Sequence, residues 1–147
     1  MIYKFSEFER LNEETKPSKI YKNVMFDDYE IRIGRNSQVN DILTFEYAND
    51  NDLWFHVSGY PGSHVVIKVK ENQETPNKVI LEASRLAIYN SKAKGKGLVK
   101  VVYTERKNVT KTDKHNPGQV SVDYSKSKFI KIEVLKKYNI NETYKNI

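Results

Sequence analysis

The segment 52–67 constrains the fold more than any other part of this chain. It reads Asp-Leu-Trp-Phe-His-Val-Ser-Gly-Tyr-Pro-Gly-Ser-His-Val-Val-Ile and holds the single tryptophan of the sequence. Two short apolar runs that flank Pro61-Gly62 predict a β-hairpin. Alternation along the first strand places Trp54 and His56 on one face and the apolar residues around them on the other. A core needs only the apolar face, so the indole and the imidazole predict a functional surface.

The length and composition indicate one soluble domain. The chain has 147 residues, of which 38% are hydrophobic and 30% are charged, enough for a single core with a strongly solvated surface. Cysteine is absent, which excludes disulfides and thiolate metal sites. Residues 1–10 lack the apolar core of a signal peptide, and no apolar run approaches membrane-spanning length. We therefore expect a cytoplasmic protein without membrane insertion.

Basic charge is concentrated in residues 92–114, where eight lysines and arginines accompany two acidic residues. The net charge of this segment is +6, equal to that of the whole chain. Such segregation predicts binding to a polyanion, because each phosphate contact releases condensed counterions. A solvated, lysine-rich loop that serves solubility is the alternative.

Residues 76–93 give the clearest helical signal. Thr75 is a suitable N-cap, Pro76 suits the first helical position, and Gly95 and Gly97 would end the helix. Its predicted buried stripe consists of Val79, Ala83, Leu86 and Ala87, widened by Ile80. Strands are predicted over residues 29–33, 53–58, 64–70, 99–104, 119–124 and 128–134.

The remaining segments are less regular. Residues 40–45 are ambiguous: Asn40 or Asp41 suits the cap of a short helix, and an irregular segment is the alternative. Residues 105–118 are expected to form a long basic loop. Residues 1–20 have a mixed, partly helical pattern, and the polar tail from 135 is expected to be a short helix or frayed. The elements together predict an α+β domain, in which one main helix packs on one face of a mostly antiparallel sheet.

The chain resembles the NFACT-R domain, the C-terminal module of the NEMF and RqcH ribosome quality-control factors. Seven blocks carry this resemblance in order: Gly34-Arg35-Asn36, Asn40-Asp41 with Leu43-Thr44, Asp52 to His56, Pro61 to Ile67, the helix from Glu82-Ala83 to Lys94, Val102-Tyr103-Thr104 and Pro117 to Val120. The resemblance covers residues 29–134 of a single domain 1–147. It leaves 1–28 as an N-terminal extension and 135–147 as a polar tail.

The resemblance implies a non-catalytic, nucleic-acid-binding module without a cofactor. RNA is the expected ligand, with tRNA and the large ribosomal subunit as partners, while DNA is also compatible with the charge. The other parts of the full-length factors have no counterpart among the matched blocks. Their C-terminal tailing activity is therefore not carried over, and the oligomeric state is not indicated.

Twelve residues are candidates for nucleic-acid contacts. Trp54 and His56 suit base stacking, lysines and arginines suit phosphates, and backbone N–H groups near Ser63 suit an anion. Trp54 would otherwise plug the sheet against the N-terminal segment, and the histidines would otherwise form structural hydrogen bonds. Tyr103 and Tyr124 are further aromatic candidates that also suit a core. The twelve candidates are Arg35, Asn36, Trp54, His56, Ser63, His64, Lys92, Lys94, Lys96, Arg106, Lys107 and Lys111.

Two other function classes remain open at this point. A nuclease or phosphotransfer factor would need His56, His64 and Asp52 to converge as acid–base groups or metal ligands. A protein-interaction module on the ribosome would use the lysines for solubility alone. We expect no resident metal, because the resemblance ties none to these positions.

Overall fold

The computed structural model describes residues 21–112 and 116–134. The strands are β1 (Lys22–Phe26), β2 (Tyr29–Ile33), β3 (Leu53–Val57), β4 (Val65–Ile67), β5 (Gly97–Glu105), β6 (Val109–Lys111), β7 (Val120–Val122) and β8 (Lys128–Val134). Six of them form an antiparallel sheet in the order β1-β2-β4-β3-β5-β8, and β6 pairs with β7 in a separate ribbon. The predicted α+β class is confirmed. The expectations for residues 1–20, 113–115 and 135–147 lie outside the described residues.

The predicted hairpin is formed by β3 and β4 and lies in the middle of the sheet. Trp54 lies opposite Val66, and Phe55 lies opposite Val65. β3 also pairs with β5, so both of its edges are hydrogen-bonded. Phe55 and Val57 enter the main core, as the alternation predicts. A central strand can be covered on both faces. Because β3 is central, the face that carries Trp54 is also covered.

The main helix, α2 (Asn77–Tyr89), is shorter than predicted at both ends. Pro76 rather than Thr75 occupies the N-cap position. At the other end the Asn90 side chain donates a hydrogen bond to the Leu86 carbonyl oxygen at 2.8 Å, which offers the backbone an alternative to another helical turn. The predicted buried stripe is confirmed, and it packs on the face of the sheet that we call the helix face.

A short helix, α1 (Ser37–Ile42), and a π-helical turn (Leu43–Tyr47) occupy the ambiguous segment. The predicted cap at Asn40 or Asp41 is wrong, because the Asn36 side chain accepts the Val39 N–H at 2.9 Å and caps the helix. The segment covers the opposite side of the sheet, which we call the second face. None of the helices in this part of the chain is long and apolar enough to cross a membrane.

The expected loop 105–118 is partly regular. It begins with a 3₁₀ turn (Arg106–Asn108) and continues into β6. The ribbon of β6 and β7 folds back over the second face, where Val109 is 2% exposed. A second 3₁₀ turn (Tyr124–Lys126) then leads into β8. The predicted strand at 119–124 therefore belongs to the ribbon and not to the main sheet.

The second face is covered unevenly. Over β3 and β4 it forms a second core of Leu43, Trp54, Val66, Val102 and Val109. Over the first residues of β5 and over β8 it is open to solvent. We call this region the open sheet end; it consists of Leu98, Lys100, Phe129, Lys131 and Glu133, with Tyr124 stacked on Phe129.

The burial of one leucine and the exposure of another predict different losses in the free energy of unfolding when each is replaced by alanine. Leu86→Ala removes a 3% exposed side chain under the helix face and is expected to lower the free energy of unfolding by about 2–5 kcal/mol. The matched control, Leu98→Ala, changes a 66% exposed side chain and is expected to cost less than about 1 kcal/mol. Urea unfolding followed by Trp54 fluorescence measures both, and equal losses would contradict this core.

Candidate nucleic-acid interface

The turn between β3 and β4 is fixed to the end of α2 by backbone hydrogen bonds. The Ser63 N–H donates to the Asn90 carbonyl oxygen at 3.0 Å, and the Lys92 N–H donates to the Pro61 carbonyl oxygen at 2.9 Å. A Cβ on Gly62 would lie 2.6 Å from the Ser91 Cβ, so a side chain at this position would separate the two segments. The Ser63 N–H is therefore already bonded and does not provide the free anion-binding group that the sequence suggested.

Three exposed lysines follow this contact, and we call them the basic turn: Lys92, Lys94 and Lys96. Gly95 and Gly97 adopt φ values of 80° and 79°, which bend the chain between the lysines and β5. The Lys94 ammonium lies 4.1 Å from the centroid of the Tyr89 ring. Cations near the C-terminus of a helix are favoured by its dipole. These lysines can therefore also stabilise the end of α2.

Arg35 lies on the other side of the same turn. The preceding residue, Gly34, donates its N–H to the His64 carbonyl oxygen at 3.0 Å. Arg35 is exposed, whereas Asn36 uses its side-chain oxygen to cap α1. The Pro61–His64 turn thus brings Arg35 and the basic turn to one end of the molecule, and Asn36 has a structural role there.

His64 is buried in a hydrogen-bonded cluster. Its Nδ1 lies 2.8 Å from the Thr44 hydroxyl oxygen, and its backbone N–H donates to the Asn40 side-chain oxygen at 3.0 Å. Burial lowers the pKa of His64, and together with the like charge of the neighbouring His56 it brings this pKa to about 3. A neutral, 1% exposed imidazole does not reach a ligand, so this residue has a structural role.

Trp54 does not offer a free ring for base stacking. The indole is 1% exposed, with the His56 ring stacked at 5.9 Å between centroids and the His64 ring edge-on at 5.1 Å. This placement matches the structural alternative, in which the residue plugs the sheet. His56 is half-buried, and burial lowers its pKa, opposed by hydrogen bonds to the backbone of Val57 and Gly62.

The cations after β5 are engaged within the fold. The Arg106 Nε donates to the Thr44 carbonyl oxygen at 2.8 Å, and its Nη1 lies 3.4 Å from an Asp50 carboxylate oxygen. The Lys111 ammonium lies 2.8 Å from an Asp41 carboxylate oxygen. These contacts anchor α1 and the ribbon to the sheet.

The two basic clusters of the sequence are not brought together. The basic turn precedes β5, while Arg106 and Lys107 follow it. A nine-residue strand separates them by roughly 30 Å at about 3.3 Å per residue. Lys107 is exposed and pairs with Glu105 at 3.3 Å. The unneutralised charge of this segment therefore lies at the basic turn and along β5.

The sequence reasoning missed an aromatic pair on the open sheet end. Tyr124 and Phe129 are 61% and 44% exposed, and their rings stack at 6.0 Å between centroids with an interplanar angle of 11°. Tyr124 was an aromatic candidate, but Phe129 was not. The sequence contains a signal for this exposure: alternation in β8 places Ile130 and Ile132 on the helix face and therefore Phe129 on the second face. The other aromatic candidate, Tyr103, stacks on the core residue Phe55.

The nuclease arrangement does not form. Asp52 is 2% exposed, and its two carboxylate oxygens accept the N–H groups of Asn49 and Val69. It lies just before β3, whereas His64 lies near the other end of the strand beside His56, where the centroids of the two imidazole rings are 5.6 Å apart. Within residues 21–112 and 116–134, no three histidine, aspartate or glutamate side chains gather as a metal site would require.

A cleft of about 770 Å³ opens on the helix face near the start of α2. Its lining mixes Glu71, Glu74 and Glu105 with Lys126 and Lys128, and it includes no histidine. The mixed charge does not suit a polyanion. None of the three lysines of the basic turn lines the cleft. We therefore assign the candidate interface to the basic turn and to the open sheet end.

The lowered pKa of His64 predicts a pH-dependent stability. Between pH 6.5 and about 3 the unfolded chain binds a proton at this residue that the folded protein does not, so the free energy of unfolding falls as the pH falls. The slope is about 1.4 kcal/mol per pH unit for one proton. His64→Gln is expected to lose this slope in urea titrations from pH 7 to pH 4.

His56→Gln is the matched control for this prediction. It removes a neighbouring histidine with a smaller shift in pKa, so the slope should change less. The carboxylates are common to all three proteins and cancel in the comparison. An identical pH slope in the parent protein and in His64→Gln would contradict the buried neutral state.

This chain is similar to several known proteins. RqcH of Bacillus subtilis (strain 168), an Rqc2 homolog, is 37% identical over 114 residues, which are 74% of this chain and 20% of that protein. The NEMF homolog of Drosophila melanogaster, a ribosome quality control complex subunit, is 31% identical over 75 residues, 51% of this chain and 8% of that protein. The solved C-terminal part of the fibronectin/fibrinogen-binding protein from Streptococcus suis matches with a TM-score of 0.69 and 32% identity. That match covers 84% of this chain and 48% of the solved chain.

The chain thus spans about a fifth of the length of RqcH and about half of the solved streptococcal chain. Residues 19–124, well over half of the sequence, match the family described as the NFACT protein RNA binding domain. This is a family of RNA-binding domains and not of enzymes, which agrees with the expected non-catalytic module. The resemblance noted from the sequence is confirmed: the chain belongs to the NFACT RNA-binding domain family.

Proposed function

We propose that this chain holds structured RNA, either tRNA or ribosomal RNA, through phosphate contacts at the basic turn. The proposal rests on the exposure of the cations at this turn and on their lack of ion pairs within the described residues. Arg35 and the basic turn are exposed and make no ion pair with a carboxylate of the described residues, whereas Arg106, Lys107 and Lys111 do. Unpaired surface cations beside one fixed turn suit the regular phosphates of an RNA backbone.

Ribosome quality control is the proposed setting of this binding. RqcH and the NEMF homolog carry the same type of domain, and the name of the latter places that protein in a ribosome quality control complex. The domain would then act in the cytoplasm, where its partner is a ribosome or a tRNA. Contacts to phosphates, rather than to base edges, predict weak sequence preference and steep salt dependence.

Docking on a ribosomal protein is the second candidate function. It is favoured by the exposed apolar side chain of Leu98, which is 66% exposed next to the basic turn. In this case the chain would still bind ribosomes after the accessible RNA has been digested. Ribosome pelleting with and without nuclease treatment separates the two candidates, since RNA binding predicts loss of the chain from the pellet.

Neutralising the basic turn is the direct test. Lys92→Gln, Lys94→Gln and Lys96→Gln together are expected to weaken binding to tRNA and to an RNA duplex alike. The slope of log affinity against log salt should fall by about 2–3, because each lost phosphate contact removes about 0.7–0.9. Fluorescence-anisotropy titrations at several salt concentrations, with duplex DNA as a further probe, measure this.

A triple variant with the same change in net charge serves as the control. Lys22, Lys68 and Lys78 are exposed lysines on other parts of the surface, and replacing them by glutamine removes equal charge. Equal weakening by both triple variants would mean that only net charge matters. Full affinity in the basic-turn variant would rule out this turn as the binding surface.

A further inference from the structure

We propose that the open sheet end binds unpaired bases of single-stranded RNA by stacking on Tyr124 and Phe129. Lys100 and Lys131 would contact the adjoining phosphates. The inference rests on the proposed RNA-binding function and adds a second contact surface and the class of RNA that it selects. It also replaces the stacking role that the buried Trp54 cannot perform.

The aromatic pair has the geometry of a stacking platform. Tyr124 and Phe129 are nearly parallel and both largely exposed, so an aromatic surface faces solvent where the rest of the second face is covered. The Lys100 ammonium lies 4.8 Å from the centroid of the Phe129 ring. Every base has a π-face, so such a surface accepts bases with little sequence preference.

The open sheet end has a net positive charge, since it carries two lysines, Lys100 and Lys131, and one acidic residue, Glu133. Lys100 and Lys131 are directly opposite each other on β5 and β8, and both are exposed. Like charges directly opposite each other destabilise a sheet, and here a single carboxylate, Glu133, accompanies the two ammonium groups on this face. A polyanion bound across the two strands would relieve this repulsion.

The open sheet end is continuous with the basic turn. Lys96 is followed at once by β5, and Lys100 lies four residues further, roughly 13 Å along the strand. An RNA held at the basic turn can therefore extend a single-stranded segment along β5 toward Phe129. A duplex cannot present its bases there, because they are stacked and paired.

Replacing both aromatic rings tests the stacking surface. In Tyr124→Leu/Phe129→Leu the side chains stay apolar, so an apolar residue still lies opposite Val102 on β5 while stacking is lost. The probe is a uridine-rich single-stranded RNA with one fluorescent purine analogue, whose emission falls when the base stacks. The variant is expected to lose this quenching and to bind the probe roughly 5- to 150-fold more weakly.

Two controls separate stacking from other effects. Tyr60→Leu changes an exposed aromatic residue in the hairpin turn and should bind the single strand like the parent protein. An RNA duplex should bind equally well to the parent protein and to Tyr124→Leu/Phe129→Leu. Lys100→Gln/Lys131→Gln should lower the salt slope for the single strand by about 1.4.

The outcomes distinguish this inference from the proposed function. If Tyr124→Leu/Phe129→Leu binds and quenches the single strand like the parent protein, the stacking site is overturned, while the basic turn can still be supported by its own variants. If the parent protein binds no RNA at low salt, both proposals fail and the exposed aromatic pair becomes a protein-docking surface.

A cross-linking measurement on the parent protein tests the stacking site even if Tyr124→Leu/Phe129→Leu does not fold. A single-stranded RNA that contains a photoreactive thiouridine is cross-linked to the protein, and the modified peptide is identified by mass spectrometry. Stacking predicts cross-links within residues 124–131. Cross-links confined to other segments would overturn the proposal.

Discussion

The position of the Asn40 side chain holds the second face and the basic turn together. Its oxygen accepts the His64 N–H at 3.0 Å, and its nitrogen lies 3.4 Å from the Gly62 carbonyl oxygen. A Cβ on Gly34 would overlap the same side-chain oxygen, so glycine is required at that position. One buried amide thus ties α1 to the hairpin turn, which in turn binds the end of α2.

The sequence predicted those helices and strands whose hydrophobic pattern is contained within a single segment of the chain. Alternation specified β2 and the hairpin, and helical periodicity specified the buried stripe of α2, because burial on one face repeats at a fixed interval. Element ends were less predictable. The end of α2 depends on Asn90, whose side chain competes for a backbone carbonyl, and β1 was missed because it is an edge strand with little buried surface.

The site residues were less predictable because their state depends on distant partners. Arg106 bonds to Thr44, 62 residues away, and Asp41 accepts the N–H of Gly118, 77 residues away. Sequence patterns show that a cation is present, but not whether the fold has already neutralised it. The same reason applies to Trp54, whose exposure depends on whether α1 covers the second face. Charge counts therefore show where cations are concentrated, but they overestimate the number of cations that the fold leaves unpaired.

The open sheet end also lies at the border of the sheet. β8 pairs with β5 on one side, and it is the last strand of the sheet within residues 21–112 and 116–134. Lysines on such a strand raise the cost of adding a further strand, since the approaching backbone must desolvate them. Lys128 and Lys131 are exposed on opposite faces of β8. Lys131, which is assigned above to ligand binding, therefore has a second effect, since together with Lys128 it disfavours the addition of another strand at this border.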